Sequence, residues 1–256
     1  MTPSPLRYPG GKTRAIKILE PLVKQRFPTQ KMIISPFLGG GSFELHMLGL
    51  GYKLNTNDLF KPLYTFWLMC MQQPAELQTL IKTYMPMTKE KFLQIRTSIV
   101  TDTVPLSIAA KYFVINRSSF SGSTFCGGYS AESGEKRFTE NSVRKIGALD
   151  LSGLTLENKD CLDFIRSHPQ TADTMLFLDP PYYISTYIYG RDGDMHEGFN
   201  HAALVDLLKE RTDWILCYND CPYIRELYKG YKIDTVSWAY GMNSTKKSSE
   251  ILIFPN

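Results

Sequence analysis

The chain has 256 residues, of which 43% are hydrophobic and 21% are charged. This composition is typical of a globular protein with a buried core, organised as one domain or as one domain with an inserted lobe. No apolar run is long enough to span a membrane, and the N-terminus lacks the pattern of a signal peptide. We therefore expect an intracellular protein that is neither secreted nor bound to a membrane.

The net charge of +4 is unevenly distributed along the chain. Residues 1–31 hold seven Lys and Arg against one Glu, whereas residues 157–220 hold five against twelve acidic residues. Separate basic and acidic regions favour a protein that binds a polyanion on one face, although solvated helix faces produce similar runs. The five cysteines and four histidines are scattered, which predicts reduced thiols and no metal site.

The hydrophobic pattern at the start of the chain alternates between helix and strand. It predicts a helix over residues 12–26, a strand over 32–34, a helix from Phe43 with Ser42 as its N-cap, and a strand over 53–56. This alternation is typical of the beginning of an α/β sheet.

The middle of the chain has a different character. Residues 61–116 show helical periods with almost no strand signal, and residues 117–145 look like an exposed loop or hairpin region. Strand patterns return at 154–156, 175–178, 214–217, 231–236 and 251–254, with a helix over 201–211. The sequence therefore predicts a parallel α/β sheet interrupted by a mostly helical insertion.

A glycine turn follows the first predicted strand. Such a turn lies at the carboxyl end of a strand, where ligands bind, and Gly39 and Gly40 let the backbone approach a ligand closely. Ser42 begins the next helix, and Asp58 ends the next strand, where a carboxylate can accept both hydroxyls of a ribose. These residues suggest an adenosine-containing cofactor, although a plain structural turn remains an alternative.

The strongest motif in the chain is Asp179-Pro180-Pro181-Tyr182, which ends an apolar strand. Prolines stiffen the turn and leave its carbonyl groups as acceptors. A carboxylate and a carbonyl can accept the two hydrogens of an aryl amine, and an aromatic ring can hold the base flat. The motif therefore points to chemistry on a planar amine, the alternative being a surface turn.

A second glycine motif surrounds Lys12 but does not form a phosphate-binding loop. That loop needs a glycine where the chain has Leu6, and no strand precedes it. We therefore reject a nucleoside triphosphatase. Lys12, at a helix start, could still contact a polar group of a ligand.

In combination and order, these motifs resemble the Dam-like (D12 class) family of DNA adenine-N6 methyltransferases, from Leu6 to Ile253. The boxes are Tyr8-Pro9-Gly10-Gly11-Lys12, Phe37-Leu38-Gly39-Gly40-Gly41-Ser42, Asn57-Asp58, Asn116-Arg117-Ser118-Ser119-Phe120-Ser121-Gly122 and Asp179-Pro180-Pro181-Tyr182. The resemblance implies a Rossmann-like methyltransferase sheet that binds S-adenosylmethionine. It implies a catalytic domain of residues 1–58 and 150–256, with residues 59–149 inserted as a target-recognition domain, called the recognition lobe below.

The resemblance also implies roles for single residues. The residues expected around S-adenosylmethionine are Tyr8, Lys12, Phe37, Gly39, Gly40, Ser42, Asp58, Asp160, Cys161 and Asp179. The target adenine would lie against Asp179, Pro180, Pro181 and Tyr182. Double-stranded DNA would contact Arg117, Phe120, Ser121 and Arg137, with Phe120 as a wedge in the base stack.

The chain departs from many relatives at two places. Ser35 stands where they have an acidic residue before Pro-Phe, which puts one polar cofactor contact in doubt. Residues 123–128 lack the arginine and the Pro-Phe-Gly hairpin of members that read GATC, so that target is not assumed.

Two other functions stay open at this stage. One is an RNA adenine methyltransferase, or a methyltransferase of another planar amine, such as a protein glutamine. The other is a catalytically silent DNA-binding protein on the same fold. Residues 183–200 could form a mobile lid or an ordinary loop. The target sequence, the biological role (restriction-modification, viral self-protection or an epigenetic mark) and the oligomeric state are not encoded in these motifs.

Overall fold

The computed structural model of the protein describes residues 3–183, 198–239 and 247–256. Its centre is a sheet with the strand order β3-β2-β1-β4-β5-β7-β6. The strands are β1 (Met32–Ser35), β2 (Lys53–Asn57), β3 (Leu154–Glu157), β4 (Thr174–Leu178), β5 (Trp214–Asn219), β6 (Lys232–Ala239) and β7 (Lys247–Phe254). Each predicted strand is present, which confirms the strand pattern of the sequence.

The topology of the sheet confirms the Rossmann-like methyltransferase fold. The pairs β1–β2, β2–β3, β1–β4 and β4–β5 are parallel. Strand order reverses between β1 and β4, which is the switch point where open α/β sheets bind ligands.

The predicted parallel sheet is confirmed except at strand β7. Strand β7 runs antiparallel to both β5 and β6. Only residues 240–246 connect β6 to β7. This connection is too short for the crossover that a parallel pair requires.

Short helices surround the sheet. They are α1 (Ile16–Arg26), α2 (Ser42–Gly49), α3 (Lys61–Gln72), α4 (Pro74–Lys82), α5 (Lys89–Ser98), α6 (Pro105–Ser118), α7 (Ala131–Lys136), α8 (Glu140–Gly147), α9 (Cys161–Ser167), α10 (His201–Leu208) and α11 (Pro222–Leu227). Helices α3 to α6 confirm the helical middle of the chain. Helices α9 and α11, of seven and six residues, are not predicted by the hydrophobic pattern.

Ser42 is not the N-cap of α2, as the sequence predicts. Gly41 occupies that position in the left-handed conformation, with φ 64°, and Ser42 is already helical. The Ser42 hydroxyl is instead 3.1 Å from the Thr13 hydroxyl, which donates to it. The glycine turn therefore sets the start of α2 through its backbone.

The region 117–145 is not a plain exposed loop or hairpin. It contains the end of α6, two short 3₁₀ turns (Phe120–Gly122 and Thr124–Cys126) and the helices α7 and α8. Each of these two helices begins with a side-chain cap, from Ser130 and from Thr139. Local capping thus orders a segment that has few apolar residues.

The core lies on both faces of the sheet. Alternate residues of a strand point to opposite faces. Ile33 belongs to a core cluster that includes α1, α2 and the lobe helices, whereas Ile34 belongs to a second cluster that includes α9, α10 and α11. None of the helices in the described ranges is both long and apolar enough to cross a membrane. The division into a catalytic domain and a recognition lobe stays a prediction.

Candidate active site

A cavity of about 400 Å³ opens at the carboxyl ends of β1, β2 and β4. Its size is within the range of small-molecule sites, and its position is the switch point of the sheet. Every residue predicted to surround the cofactor lines it: Tyr8, Lys12, Phe37, Gly39, Gly40, Ser42, Asp58, Asp160, Cys161 and Asp179. Pro180 and Pro181 also line it. The geometry thus brings together the residues of four separate boxes.

The glycine turn supports the ring of Tyr8 in this cavity. A Cβ atom added to Gly40 would lie 2.5 Å from the Tyr8 Cβ atom, and one added to Gly39 would lie 3.0 Å from the Tyr8 ring. Gly39 also has φ 50°, which other residues rarely adopt. Glycine is therefore required here to bring the N-terminal box against the turn.

The Asp58 carboxylate holds the glycine turn from the end of β2. Its Oδ2 atom accepts from the Gly39 N–H at 2.9 Å, and its Oδ1 atom accepts from the Phe60 N–H at 2.9 Å. Burial raises the pKa of Asp58 to about 6, against these two hydrogen bonds. Each oxygen keeps a further lone pair, which leaves it able to accept from a ligand hydroxyl.

Asp160 and Cys161 stand at the start of α9 on the β3 side of the cavity. Asp160 caps this helix, its Oδ1 atom accepting from the Leu162 N–H at 2.8 Å. Burial, with the nearby Asp160 charge, raises the pKa of the Cys161 thiol to about 12. Cys161 is therefore a neutral thiol at physiological pH and not a nucleophile.

Asp179 lies just beyond the end of β4 and pairs with Lys12. The Lys12 Nζ atom is 2.8 Å from the Asp179 Oδ1 atom, and the lysine side chain is only 3% exposed. Burial raises the pKa of Asp179, and the Lys12 charge opposes this rise. The first and last boxes of the sequence thus meet in one ion pair.

The Tyr182 hydroxyl belongs to the same network. It accepts from the Lys12 Nζ atom at 2.9 Å and donates to the Glu250 Oε2 atom at 2.6 Å. Tyr182 packs beside the cavity against the core of the α9 side, and it is not among the cavity-lining residues. The Lys12 ammonium group therefore contacts both the Tyr182 hydroxyl and the Asp179 carboxylate.

Two buried acids of the site are missed by the sequence analysis. Glu44 is 3% exposed and lines the cavity, and Glu250 is 1% exposed and faces Lys12 from β7. The signal that could have found them is an acidic residue within an apolar pattern, on α2 and on β7. A buried carboxyl group needs a hydrogen-bond donor or a cation beside it, so an acid at a buried position indicates a polar or charged site.

The predicted DNA-contacting residues lie away from the cavity. Phe120 is 67% exposed on a 3₁₀ turn, and Ser121 beside it has φ 53°. Arg117 is half-buried, and its Nε and Nη2 atoms donate to the carbonyl oxygen of Arg137 at 2.8 and 2.5 Å. Its Nη1 atom is 3.3 Å from the Pro5 carbonyl oxygen. Arg117 therefore joins segments of the chain, and Phe120 is open to a partner.

A pair of hydrogen bonds ties the N-terminal box to the recognition lobe. The Arg7 N–H donates to the Asn116 Oδ1 atom at 2.9 Å, and the Asn116 Nδ2 atom donates to the Arg7 carbonyl oxygen at 2.6 Å. The Arg7 Nη1 atom also donates to the Ser133 hydroxyl at 2.9 Å. Arg7, which the sequence analysis does not single out, lies close enough to Arg117 and Arg137 for their charges to interact, and these three residues are called the arginine-rich face below.

Most of the predicted lid, residues 184–197, lies outside the described residues. Its described end, Gly198, Phe199 and Asn200, lines the cavity. Among the residues that the structure does describe, no group of three or more His, Cys, Asp or Glu side chains could hold a metal ion.

Of the comparisons with known proteins, one supports the motifs of this site. A precorrin 8w decarboxylase from Methanobacterium thermoautotrophicum resembles the chain in structure, with 9% identity and a TM-score of 0.39 over 97% of this chain and 93% of that one. A proposed methylase from Haemophilus influenzae does so with 12% identity and a TM-score of 0.35, over 95% and 98%. Both likenesses are too distant to carry an argument, and no curated protein matches the chain. The sequence profile of the D12 class N6 adenine-specific DNA methyltransferases matches residues 8–242, and the chain therefore belongs to that family.

Proposed function

We propose that the protein is a site-specific DNA methyltransferase that transfers a methyl group from S-adenosylmethionine to N6 of an adenine flipped out of duplex DNA. One observation carries this proposal. Asp179, Pro180 and Pro181 open onto the same cavity as the glycine turn and Asp58. A site for a planar amine and a site for an adenosine-containing cofactor are therefore neighbours.

The cavity suits S-adenosylmethionine in size and in chemistry. Asp58 and Asp160 would lie near the ribose and the adenine of the cofactor, and the glycine turn supplies close-lying backbone. When bound, the cofactor supplies an electrophilic methyl group, so the protein needs only to bind, align and exclude water. No cysteine nucleophile is needed, which agrees with the raised pKa of Cys161.

The Asp-Pro-Pro-Tyr turn would hold the target amine. The Asp179 carboxylate and the Pro180 carbonyl group accept its two hydrogens, which directs the nitrogen lone pair towards the methyl group. Lys12 fixes the Asp179 carboxylate at 2.8 Å before any base arrives. This preorganisation is a common source of catalysis in buried sites.

The recognition lobe would supply the energy that base flipping needs. Taking an adenine out of the stack costs a few kcal/mol, which contacts to phosphates and bases can offset. The exposed ring of Phe120 is available to fill the stack, and Arg7, Arg117 and Arg137 make that side of the lobe positive.

The test is transfer of a labelled methyl group from S-adenosylmethionine. Purified protein is incubated with duplex DNA, structured RNA or protein extract, and methylated DNA is then sequenced to locate the modified base. We expect N6-methyladenine in duplex DNA at a defined sequence. The control is Asp163→Ala, because Asp163 is an exposed acid on α9 whose loss should leave transfer unchanged.

Other results of this assay would overturn the proposal. Label in RNA or protein alone would indicate a methyltransferase of another planar amine. Tight duplex binding without transfer to any substrate would indicate a catalytically silent DNA-binding protein.

A further inference from the structure

The Glu44 carboxyl group has no role in the function proposed so far, yet it faces the cavity. It is the third residue of α2 and is 3% exposed. Its Oε1 atom accepts from the Ser35 hydroxyl at 2.8 Å. A helix N-terminus favours negative charge, but burial outweighs this and raises the pKa of Glu44 to about 8. Glu44 is therefore mostly protonated at neutral pH.

Acidic groups outnumber basic ones around Glu44. The Asp179 charge raises the pKa of Glu44 and the Lys12 charge lowers it. Lys12 is already paired with Asp179 and lies 3.9 Å from the Glu250 Oε2 atom. In the described part of the site, three carboxyl groups thus share one ammonium group. A second cation at this place would favour ionisation of Glu44.

Glu44 is positioned to contact the group attached to the ribose 5′ carbon of an adenosine-containing ligand. Asp58 follows β2, Ser35 ends β1 and Asp179 follows β4, and these three strands are adjacent in the order β2-β1-β4. Neighbouring strands are about 4.8 Å apart. Through Ser35, Glu44 therefore lies between the acid proposed for the ribose and the acid of the reaction centre. With the ribose held by Asp58, the substituent on its 5′ carbon would pass this point on its way to Asp179.

We propose that Glu44 binds the α-ammonium group of the methionine moiety of S-adenosylmethionine, and that Glu44 loses its proton as this group arrives. The inference rests on the proposed function, because it assigns a residue to that cofactor. The carboxyl proton of Glu44 leaves to solvent, the ammonium group keeps its three protons, and no covalent bond changes. Binding is then linked to the release of one proton.

The test is calorimetry of cofactor binding at pH 6.5 in buffers of different ionisation enthalpy. At this pH a free α-ammonium group, with a pKa of about 7.8, stays protonated, so the ligand itself exchanges few protons. The variant Glu44→Gln keeps the size of the side chain and resembles its protonated form, so the fold should be retained, which a melting curve checks. The wild type should release about one proton more per bound S-adenosylmethionine than the variant.

Affinity provides the second measurement. Glu44→Gln should weaken binding of S-adenosylmethionine about 10- to 100-fold, the scale of one charged hydrogen bond. S-adenosylhomocysteine keeps the ammonium group and should lose the same factor. Methylthioadenosine lacks the amino-acid part and should bind both proteins equally. The matched control is Glu140→Gln, which changes an exposed first-turn acid of α8 and should alter none of these affinities.

Two results would overturn the role of Glu44 alone. One is equal affinity and equal proton release in wild type and Glu44→Gln. The other is an equal loss for methylthioadenosine, which would indicate a packing effect. If the wild type binds neither S-adenosylmethionine nor methylthioadenosine, the proposed function fails together with the inference.

Discussion

The cavity contains several buried acids, whereas partly buried arginines gather where the recognition lobe meets the N-terminal segment. In the cavity, the buried acids Asp58, Glu44 and Asp179 all have raised pKa values because burial disfavours their charged forms. In the lobe, burial and neighbouring guanidinium groups lower the pKa of Arg117 to about 10. Burial also lowers the pKa of Arg7, which contacts the lobe from the N-terminal segment. In each region, a ligand of the opposite charge would stabilise the charged forms that burial disfavours. One region suits a small cation, and the other suits a polyanion.

The largest effect that this comparison predicts is on catalysis in the cavity. Asp179→Ala should lower turnover by about 10²- to 10³-fold, the scale of losing one key polar group in a water-poor site. Duplex binding should be kept, because the arginine-rich face is unchanged. Labelled methyl transfer and a binding titration measure the two quantities, with Asp163→Ala as the control. Near-wild-type turnover in Asp179→Ala would remove Asp179 from the mechanism.

The next largest effect is on DNA binding by the recognition lobe, through a substitution that should not disturb the fold. Phe120→Ala should weaken binding to the target sequence about 5- to 150-fold, since stacking one ring on bases contributes about 1–3 kcal/mol. The melting temperature should change little because Phe120 is 67% exposed. Competition with scrambled duplexes measures specificity, and Leu93→Ala, an exposed residue of α5 in the same lobe, is the matched control. If Phe120→Ala still distinguishes the target duplex from scrambled duplexes as well as the wild type does, Phe120 is not the residue that inserts into the base stack.

A smaller effect, on the free energy of unfolding, tests whether Arg117 stabilises the fold in addition to any contact with DNA. Its guanidinium group donates to the carbonyl oxygens of Arg137 and Pro5, so Arg117→Ala should lower the free energy of unfolding by about 1–3 kcal/mol. Arg144→Ala, an exposed arginine of α8, should lower it little. Denaturant unfolding measures this difference, and equal values would contradict a structural role.

Salt titration of DNA binding then sharpens the result for Arg117. A lost phosphate contact weakens all sequences alike and reduces the salt dependence, whereas a lost base contact relaxes specificity at one base pair. We expect a base contact from Arg117 or from Arg137. Arg137→Ala therefore belongs in the same series.

The smallest effect is a pH dependence that isolates Asp58. With a pKa of about 6, its carboxyl group becomes protonated as the pH falls and then accepts fewer hydrogen bonds from a ribose. The affinity for methylthioadenosine should therefore fall about tenfold from pH 7 to pH 5. In Asp58→Asn the affinity should be lower at pH 7 and independent of pH over this range. If the affinity of Asp58→Asn for methylthioadenosine still falls between pH 7 and pH 5, the pH dependence belongs to another titrating group.

The sequence predicts the parts of the site that are local in the chain. Asp58 and Asp179 each follow an apolar strand, and strand ends of a parallel sheet meet at one edge. Glu44 and Glu250 are not predictable in this way, because their importance arises only when the fold brings Glu44 to the cavity and Glu250 to within 3.9 Å of Lys12. A single acid in a short apolar segment gives no local sign of what it will face.

The errors in secondary structure have the same origin. The N-terminus of α2 depends on the left-handed backbone of Gly41, and the serine beside it is a plausible cap by type alone. The antiparallel strand β7 has the same hydrophobic pattern as a parallel one. Direction depends on the connection and on the partner strands, which propensity does not encode.

The paired bonds between Arg7 and Asn116 have a consequence for engineering target specificity. The chain between Arg7 and Lys12 is only a few residues long, and Lys12 anchors Asp179. A lobe exchanged for that of a relative would therefore need an amide at the position of Asn116 to keep the N-terminal box in place. The recognition lobe therefore cannot be exchanged independently of the N-terminal segment. We expect functional chimaeras to be those that preserve the paired hydrogen bonds between Arg7 and Asn116.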